Sequence, residues 1–193
     1  MDTKEKILVG MLELIWDKGL EKASIGSLAK KIKISPGNIY YYFTDKTEIL
    51  NTLYYYCFEQ LVSSVRRDIY KDIRDNYTHE NVEDKIRYFL KEIIVFYREN
   101  PYILNYMITA KSSSYLSDDL KKRMLNYVES YSVFLDELKE KKMVKQIPTQ
   151  TMILYFTTVI YEFLKQDVLL HNISLDDEKI NDIVTLFLTG IIA

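Results

Sequence analysis

Basic and polar side chains are concentrated in one short stretch near the N-terminal end of the chain. Residues 22–46 contain five lysines and one aspartate, a local charge of +4 in a chain whose net charge is -2. The stretch also contains Asn38, whose amide can donate to and accept from a base edge, while lysine ammonium groups bind phosphates. This combination favours nucleic-acid binding. The alternative is a solvated lysine face on a small helical subdomain.

Three short helices are predicted to position these side chains. Asp2 and Gly19 are typical of the start and the end of a first helix. Ser24 is typical of the cap of a second helix, and Ser35 followed by Pro36 is typical of the start of a third. Two short helices joined by a tight turn predict a helix-turn-helix.

The rest of the chain predicts longer helices. With five glycines and three prolines in 193 residues, the chain lacks the frequent turn residues of a β-sandwich or barrel. Apolar residues recur at helical spacing, and caps and breakers divide them into segments. Further helices are predicted over 45–74, 82–99, 101–111, 117–142, 148–170 and 175–193. The predicted fold is therefore all-α with about nine helices.

The last two predicted helices are apolar on almost every side. A helix of this kind must be covered all round, either by the chain's own core or by a second copy. Two such helices could pack against their copies as a four-helix bundle, which predicts a homodimer. The residues assigned to this seam are Met152, Phe156, Val159, Ile160, Phe163, Ile183 and Phe187.

The stretch from Ser24 to Lys46 resembles the DNA-binding signature of TetR-family transcriptional regulators. The resemblance extends from Ile7 in the first predicted helix to Leu50. It implies a helix-turn-helix DNA-binding domain over 1–48 and a helical ligand-binding and dimerisation domain over 49–193. It also implies a homodimer on a palindromic operator in double-stranded DNA, commonly a repressor that a small molecule releases.

The resemblance also implies roles for individual residues of the helix-turn-helix. Tyr40 and Lys46 match positions that contact the DNA backbone, and Lys33 stands where the family usually has a small residue and could add a phosphate contact. Tyr42 could either contact a phosphate or pack under Phe43. The caps that match phosphate-contacting positions are Ser24 and Ser35, and the positions that face base edges are Pro36, Gly37, Asn38 and Tyr41.

A ligand cavity among the middle helices is a further implication of the resemblance. Aromatic walls would suit a small hydrophobic, aromatic or cationic compound, although most aromatic residues are expected in the core. Glu162 could neutralise a cation, and the alternative is that it pairs with Lys165. The residues assigned to the ligand are Phe58, Phe89, Phe96, Tyr106, Tyr127, Tyr131 and Glu162.

Other classes of function have little support in the residues. We expect no enzyme, no catalytic residue, no metal and no cofactor, because His79 and His171 belong to no recognised catalytic or metal-binding motif. The single cysteine, Cys57, is expected to be buried. We expect no membrane span, and a cytoplasmic location because the chain opens without a signal-like apolar run. The alternatives to an inducible repressor are a DNA-binding regulator without an inducer and a helical adaptor that does not bind DNA.

Overall fold

A computed structural model describes residues 2–65 and 76–193, without the side chains of residues 125–131. Within these ranges all regular elements are helical, which confirms the all-α prediction, and a short π-helical turn, Lys165–Leu169, follows the eighth helix. The predicted end of the fourth helix near residue 74 lies outside the described residues. The nine described α-helices are α1 Thr3–Lys18, α2 Ile25–Ile32, α3 Pro36–Tyr42, α4 Lys46–Val65, α5 Val82–Glu99, α6 Pro101–Lys111, α7 Asp118–Glu140, α8 Thr149–Leu164 and α9 Asp177–Ile191.

The helices group into two compact units. The first unit comprises residues 1–60 and 100–122, and the second comprises residues 61–99 and 123–193. The helix-turn-helix therefore belongs to a larger unit that also contains most of α4 and all of α6. The functional boundary between residues 48 and 49 stays a prediction.

Local caps set the ends of the helices in the first unit. The carboxylate of Asp2 accepts from the backbone N–H of Glu5 at 2.8 Å, and Gly19 ends α1 with a positive φ of 81°. Asp45 likewise accepts from the backbone N–H of Glu48 at 2.8 Å, and the Glu48 carboxylate accepts from the backbone N–H of Thr44 at 2.6 Å. These bonds satisfy N–H groups that have no partner inside the helix, which explains why α1 and α4 begin where they do.

The core of the first unit lies between α1, α2 and α6. Helix α1 packs on both α2 and α6, and α2 packs on α3. The fully buried side chains include Ile7 and Met11 of α1, Leu28 of α2 and Ile39 of α3. Burial of each such side chain contributes about 1.5–3 kcal/mol, so this small core holds the two helices of the helix-turn-helix against α1.

The second unit has its own core, in which α5 packs on α8 and α9. The hydroxyl groups of Tyr97 and Tyr161 lie 3.0 Å apart, and the guanidinium of Arg87 donates to the hydroxyl of Thr185 at 2.7 Å. The first contact joins α5 to α8 and the second joins α5 to α9. Polar side chains of α5 therefore fix both C-terminal helices.

Candidate nucleic-acid interface

Helix α3 presents its first turn to solvent. The Oγ of Ser35 accepts from the backbone N–H of Asn38 at 3.2 Å, and Pro36 occupies the first helical turn. Ile39 is fully buried and anchors the helix on the core, whereas the Tyr41 side chain is 82% exposed. The four residues predicted to face base edges, Pro36, Gly37, Asn38 and Tyr41, are all exposed together on this one helix.

The other two tyrosines of α3 are also exposed. Tyr40 is 55% exposed, and Tyr42 is partly covered by the ring of Tyr41, whose centroid lies 5.0 Å away at an angle of 86°. Phe43 turns inward and is buried, and the Lys4 ammonium lies 5.6 Å from the centre of its ring. The helix therefore offers phenol hydroxyl groups to a ligand on its outer side.

Lys33 closes the turn between α2 and α3 in a left-handed conformation. Its φ of 56° and ψ of 49° lie in a region that glycine adopts freely and that other residues adopt at a cost. Its backbone N–H donates to the carbonyl of Ala29 and ends α2. The turn is therefore strained at this lysine, at the position where a small residue is usual in the family that the sequence resembles.

We expect Lys33→Gly to stabilise the protein while weakening its binding to DNA. Removing the left-handed strain is expected to raise the free energy of unfolding by about 0.5–1 kcal/mol. A net gain remains because the strain costs more free energy than the extra conformational entropy that glycine has in the unfolded state. Loss of the exposed ammonium is expected to lower the salt slope of DNA binding by about one. Urea unfolding and a salt titration of duplex binding measure the two effects.

The control for that prediction is Lys30→Gly. Lys30 is also exposed but lies inside α2, so its replacement removes the same charge and puts glycine in a helix. That change is expected to lower the free energy of unfolding by about 1 kcal/mol. Equal destabilisation by both substitutions would contradict the assignment of strain to Lys33.

One lysine of the basic stretch is neutralised by carboxylates of α1. The Lys31 ammonium lies 2.9 Å from the Asp17 carboxylate and 3.3 Å from the Glu13 carboxylate. The hydrogen bond that Lys31 donates to the Asp17 carboxylate raises the pKa of Lys31. The local charge of the interface is therefore smaller than the sequence suggested, and Lys22, Lys30 and Lys33 are its exposed cations.

Two further predicted contact residues have partners inside the first unit. Ser24 caps α2, because its Oγ accepts from the backbone N–H of Ser27 at 3.2 Å. The Lys46 ammonium donates to the carbonyls of Leu20 at 2.8 Å and Glu21 at 3.3 Å. Burial lowers the pKa of Lys46, and the nearby Glu21 carboxylate opposes that shift.

The residues predicted to line a ligand cavity do not fall in one unit. Phe58 and Tyr106 belong to the first unit, whereas Phe89, Phe96 and Glu162 belong to the second. The side chains of Tyr127 and Tyr131 lie outside those that the structure describes. The role of this whole set in ligand binding stays a prediction.

The surroundings of these residues differ widely. Tyr106 is fully buried and its hydroxyl donates to the carbonyl of Leu50 at 2.6 Å. Phe96 is buried, and Phe58 and Phe89 are half-buried. Glu162 is exposed, accepts from Gln166 at 2.7 Å and lies 3.6 Å from the Lys165 ammonium. The pairing of Glu162 with Lys165 is the alternative that the sequence analysis kept open.

A surface depression of about 450 Å³ lies at the turn between α7 and α8. Charged and polar side chains line it, and it includes none of the residues predicted to contact a ligand. The lining residues are Asp136, Lys139, Glu140, Lys142 and Gln146.

The residues assigned to the dimer seam are mostly covered by the second unit itself. Val159 is half-buried and Phe163 is 38% exposed. The apolar side chains with the most exposed surface on α8 and α9 are instead Leu154, Tyr155 and Leu186, which were not among the predicted seam residues. The buried members of the predicted seam are Met152, Phe156, Ile160, Ile183 and Phe187.

The remaining chemical groups are isolated. Within residues 2–65 and 76–193, no three histidine, cysteine or acidic side chains come together as a metal site. Cys57 is buried as expected, and this burial raises the pKa of its thiol. None of the described helices is both long enough and apolar enough to cross a bilayer.

Comparison with known proteins gives a family for the helix-turn-helix. Residues 7–53 match the model of bacterial regulatory proteins of the tetR family. The chain is 44% identical over 46 residues to the HTH-type transcriptional regulator YvdT of Bacillus subtilis, 24% of each chain. It is 24% identical over 139 residues to the nucleoid occlusion factor SlmA of Glaesserella parasuis, covering 72% of this chain and 64% of that protein. The chain thus spans less than two thirds of the length of these curated relatives.

Solved structures share the fold over nearly the whole chain. A TetR family transcription regulator from Marinobacter aquaeolei superposes with a TM-score of 0.83 at 18% identity, covering 98% of this chain and 95% of that one. The regulator FadR of Bacillus subtilis, solved with stearoyl-CoA, superposes with a TM-score of 0.72 at 17% identity, covering 96% and 98%. The match therefore assigns the tetR-family DNA-binding helix-turn-helix to residues 7–53, and the described chain has the fold of these TetR-family structures.

Proposed function

We propose that the protein is a homodimeric repressor that binds a palindromic operator through α3 of each copy and that a small molecule releases it. The observation that carries the proposal is the exposed outer face of α3, where Pro36, Asn38 and the 82% exposed Tyr41 lie opposite the buried anchor Ile39. In this assignment the base edges meet Pro36, Gly37, Asn38 and Tyr41. The DNA backbone meets Ser24, Lys33, Ser35, Tyr40 and Tyr42.

Dimerisation would follow from the apolar surface that α8 and α9 leave exposed. Leu186 is 74% exposed and Leu154 is 58% exposed, and Tyr155 stacks on Phe187 of α9 at 6.3 Å. Large exposed apolar side chains on neighbouring helices support a surface that a second copy covers. A two-fold axis through such a seam would present two copies of α3, which must lie about 34–36 Å apart to enter successive major grooves.

The inducer would act by binding more tightly to a conformation of the dimer that does not fit DNA than to the conformation that does. A ligand shifts such an equilibrium only by its difference in affinity for the two states. The FadR neighbour was solved in complex with stearoyl-CoA, which supports the proposal of a ligand site in this chain. For the present chain we propose a small hydrophobic, aromatic or cationic compound, with the predicted aromatic residues and Glu162 as its candidate contacts.

Selection from genomic DNA tests the DNA-binding function. The purified protein is mixed with sheared DNA of its own genome at near-physiological salt, and the retained fragments are sequenced. Enrichment of one or a few inverted repeats is the expected result. The contradicting result would be DNA that is retained without enrichment of any sequence and released as the salt concentration rises. Such binding is the signature of phosphate contacts alone. It would favour the helical adaptor.

Two substitutions on α3 are expected to weaken DNA binding in different ways. Asn38→Ala removes a side chain that can recognise a base, so we expect a loss of about 1–3 kcal/mol on the enriched duplex and relaxed specificity at one base pair. Tyr40→Phe removes a hydroxyl group that we assign to the DNA backbone, so it is expected to weaken binding to all DNA sequences. Titration of each variant with the enriched duplex and with single-base variants of it measures both effects.

The control for these substitutions is Tyr102→Phe in α6. Tyr102 is 44% exposed in the same unit but lies edge-on to Trp16, at 4.8 Å between ring centres. Its variant is expected to bind DNA as the wild-type protein does. Unchanged binding by both Asn38→Ala and Tyr40→Phe would rule out α3 as the recognition helix.

A second candidate is a DNA-binding protein that works without a small-molecule inducer. The similarity to relatives named nucleoid occlusion factors supports it, since one of them aligns over 139 residues. Titration of the bound complex with stearoyl-CoA and with a panel of aromatic cations separates the two candidates. Release by one of these compounds favours the inducible repressor, and persistence of the complex with all of them favours the second candidate.

A further inference from the structure

The connecting segment between α6 and α7, residues 112–117, is bonded to α4 through one side chain. The Nδ2 of Asn51 donates to the Tyr115 carbonyl at 2.9 Å, and its Oδ1 accepts from the backbone N–H of Ser117 at 2.8 Å. The same Nδ2 donates to the Thr47 carbonyl, one turn back on α4, at 2.7 Å. Both N–H donors of the amide are therefore engaged, and the connecting segment is fixed to the first two turns of α4.

The connecting segment also reaches the turn between α1 and α2. The Tyr115 hydroxyl donates to the carboxylate of Glu21, which lies between the end of α1 and the start of α2, at 3.0 Å. This hydrogen bond raises the pKa of Tyr115, so the hydroxyl stays protonated as a donor. The Tyr115 ring lies 4.9 Å from the Lys46 ammonium, which keeps one N–H donor for the phosphate contact that the family resemblance implies.

Local bonds shape the connecting segment between these two attachments. The hydroxyl of Ser113 donates to the Ala110 carbonyl at 2.7 Å and accepts from the backbone N–H of Tyr115 at 3.3 Å. The Oγ of Ser117 accepts from the backbone N–H of Leu120 at 3.2 Å and caps α7. The connecting segment therefore joins α4 to the α1–α2 turn as an ordered bridge within the first unit.

We propose that Asn51 is a positioning residue that sets which spacing between operator half-sites the protein recognises. It holds the connecting segment on α4 while Tyr115 holds the α1–α2 turn, and together they fix how the helix-turn-helix sits on α4. The proposal rests on the proposed homodimer on an inverted repeat. It names a determinant of specificity that lies outside the recognition helix.

The orientation of the helix-turn-helix on α4 affects the half-site spacing because each copy contributes one α3. In a two-fold dimer, a rotation of the helix-turn-helix against α4 is repeated in the second copy, so it changes the separation of the two α3 helices. That separation must match successive major grooves, about 34–36 Å apart. Binding of one helix-turn-helix to a single half-site does not depend on this separation. Loss of the Asn51 bonds therefore acts on the full operator and not on the half-site.

The experiment compares the full chain with its Asn51→Leu variant, which removes all three bonds at nearly constant side-chain size. Affinity is measured for the enriched inverted repeat, for duplexes whose spacer is one or two base pairs longer or shorter, and for a single half-site. Tyr115→Phe is a second variant, because it removes the bond to Glu21 and keeps the ring beside Lys46. The matched control is Asn105→Leu, since Asn105 is also half-buried in the first unit but lies on α6.

We expect the wild-type protein to prefer the enriched spacing over a spacer changed by one base pair by about tenfold. Asn51→Leu is expected to weaken binding to the enriched duplex about fivefold and to reduce the spacing preference to about twofold, because binding must then order the helix-turn-helix. Its half-site affinity and salt slope are expected to stay as in the wild-type protein. Tyr115→Phe is expected to change the preference in the same direction, and Asn105→Leu is expected to leave it unchanged.

Hydrogen exchange measures the bridge without DNA. The backbone N–H of Ser117 donates to Asn51, so its exchange is expected to be faster in Asn51→Leu and unchanged in Asn105→Leu. Equal exchange in Asn51→Leu and the wild-type protein would overturn the proposal.

Two further results would also overturn it. One is an unchanged spacing preference in Asn51→Leu. The other is an equal loss of affinity for every spacing and for the half-site, because general damage to the fold acts on all duplexes alike. A wild-type protein that binds no inverted repeat would be a different result: it would overturn the proposed function itself, and the proposal with it.

Discussion

Replacement of Gly10 by alanine is expected to destabilise the helix-turn-helix. Gly10 is buried in α1, and a Cβ at this position would overlap Cγ2 of Ile32 and lie 3.2 Å from Cδ1 of Leu28. Both neighbours belong to α2, so the methyl group would force α1 and α2 apart. Alanine gains about 0.5–1 kcal/mol over glycine from helix propensity, but overpacking a core costs about 1–3 kcal/mol. We therefore expect a net loss of about 1–2 kcal/mol.

The matched control is Gly26→Ala in α2. Gly26 also lies in a helix, but no atom lies within 4 Å of the Cβ that alanine would add. Helix propensity then acts alone, and we expect Gly26→Ala to raise the free energy of unfolding by about 0.5–1 kcal/mol. Urea unfolding followed by circular dichroism measures both variants. Two stabilising substitutions, or two destabilising ones, would contradict the close approach of α1 and α2 at Gly10.

Helix type and helix ends could be predicted because the signals are local. Ser24 and Ser35 cap α2 and α3 through bonds to residues three positions ahead, and this spacing is visible in the sequence. The tight turn between these two helices was predicted as well, and Lys33 closes it. Each of these features depends on neighbours within one helical turn, which is the range over which sequence patterns carry structural information.

Partners distant in sequence could not be predicted in this way. Lys31 lies 14 residues from Asp17, and Lys46 lies 26 residues from the Leu20 carbonyl that it contacts. The sequence shows that these lysines are close together in the chain but not which of them the fold brings to a partner distant in sequence. The positive charge predicted for residues 22–46 therefore included Lys31 and Lys46, whose ammonium groups have partners within the protein.

The sequence also could not show which face of each apolar helix is buried and which is exposed. On helices that are apolar all round, the pattern does not separate the face that covers the chain's own core from the face that is left over. Phe156 and Phe187 face each other at 5.0 Å inside the second unit, while Leu154 and Leu186 remain exposed. Only the packing of α5 against α8 and α9 distinguishes these residues.

Replacement of Leu186 by glutamate is expected to convert the proposed dimer into a monomer. Leu186 is 74% exposed on α9, and burial of a leucine contributes about 1.5–3 kcal/mol. A two-fold axis repeats the change in the second copy, so the loss is about 4 kcal/mol, or about a thousandfold in the dissociation constant. Sedimentation equilibrium measures the dimer directly.

The same variant tests whether the two copies of α3 act together. A monomer can contact only one half of an inverted repeat. Affinity for the enriched duplex is therefore expected to fall when the dimer is lost, while the fold stays intact. The control is Val133→Glu on α7, because Val133 is also exposed but lies on a different helix. It is expected to leave both the dimer and DNA binding unchanged. If Leu186→Glu remains dimeric while Val133→Glu dissociates, the seam lies on α7 and not on α8 and α9.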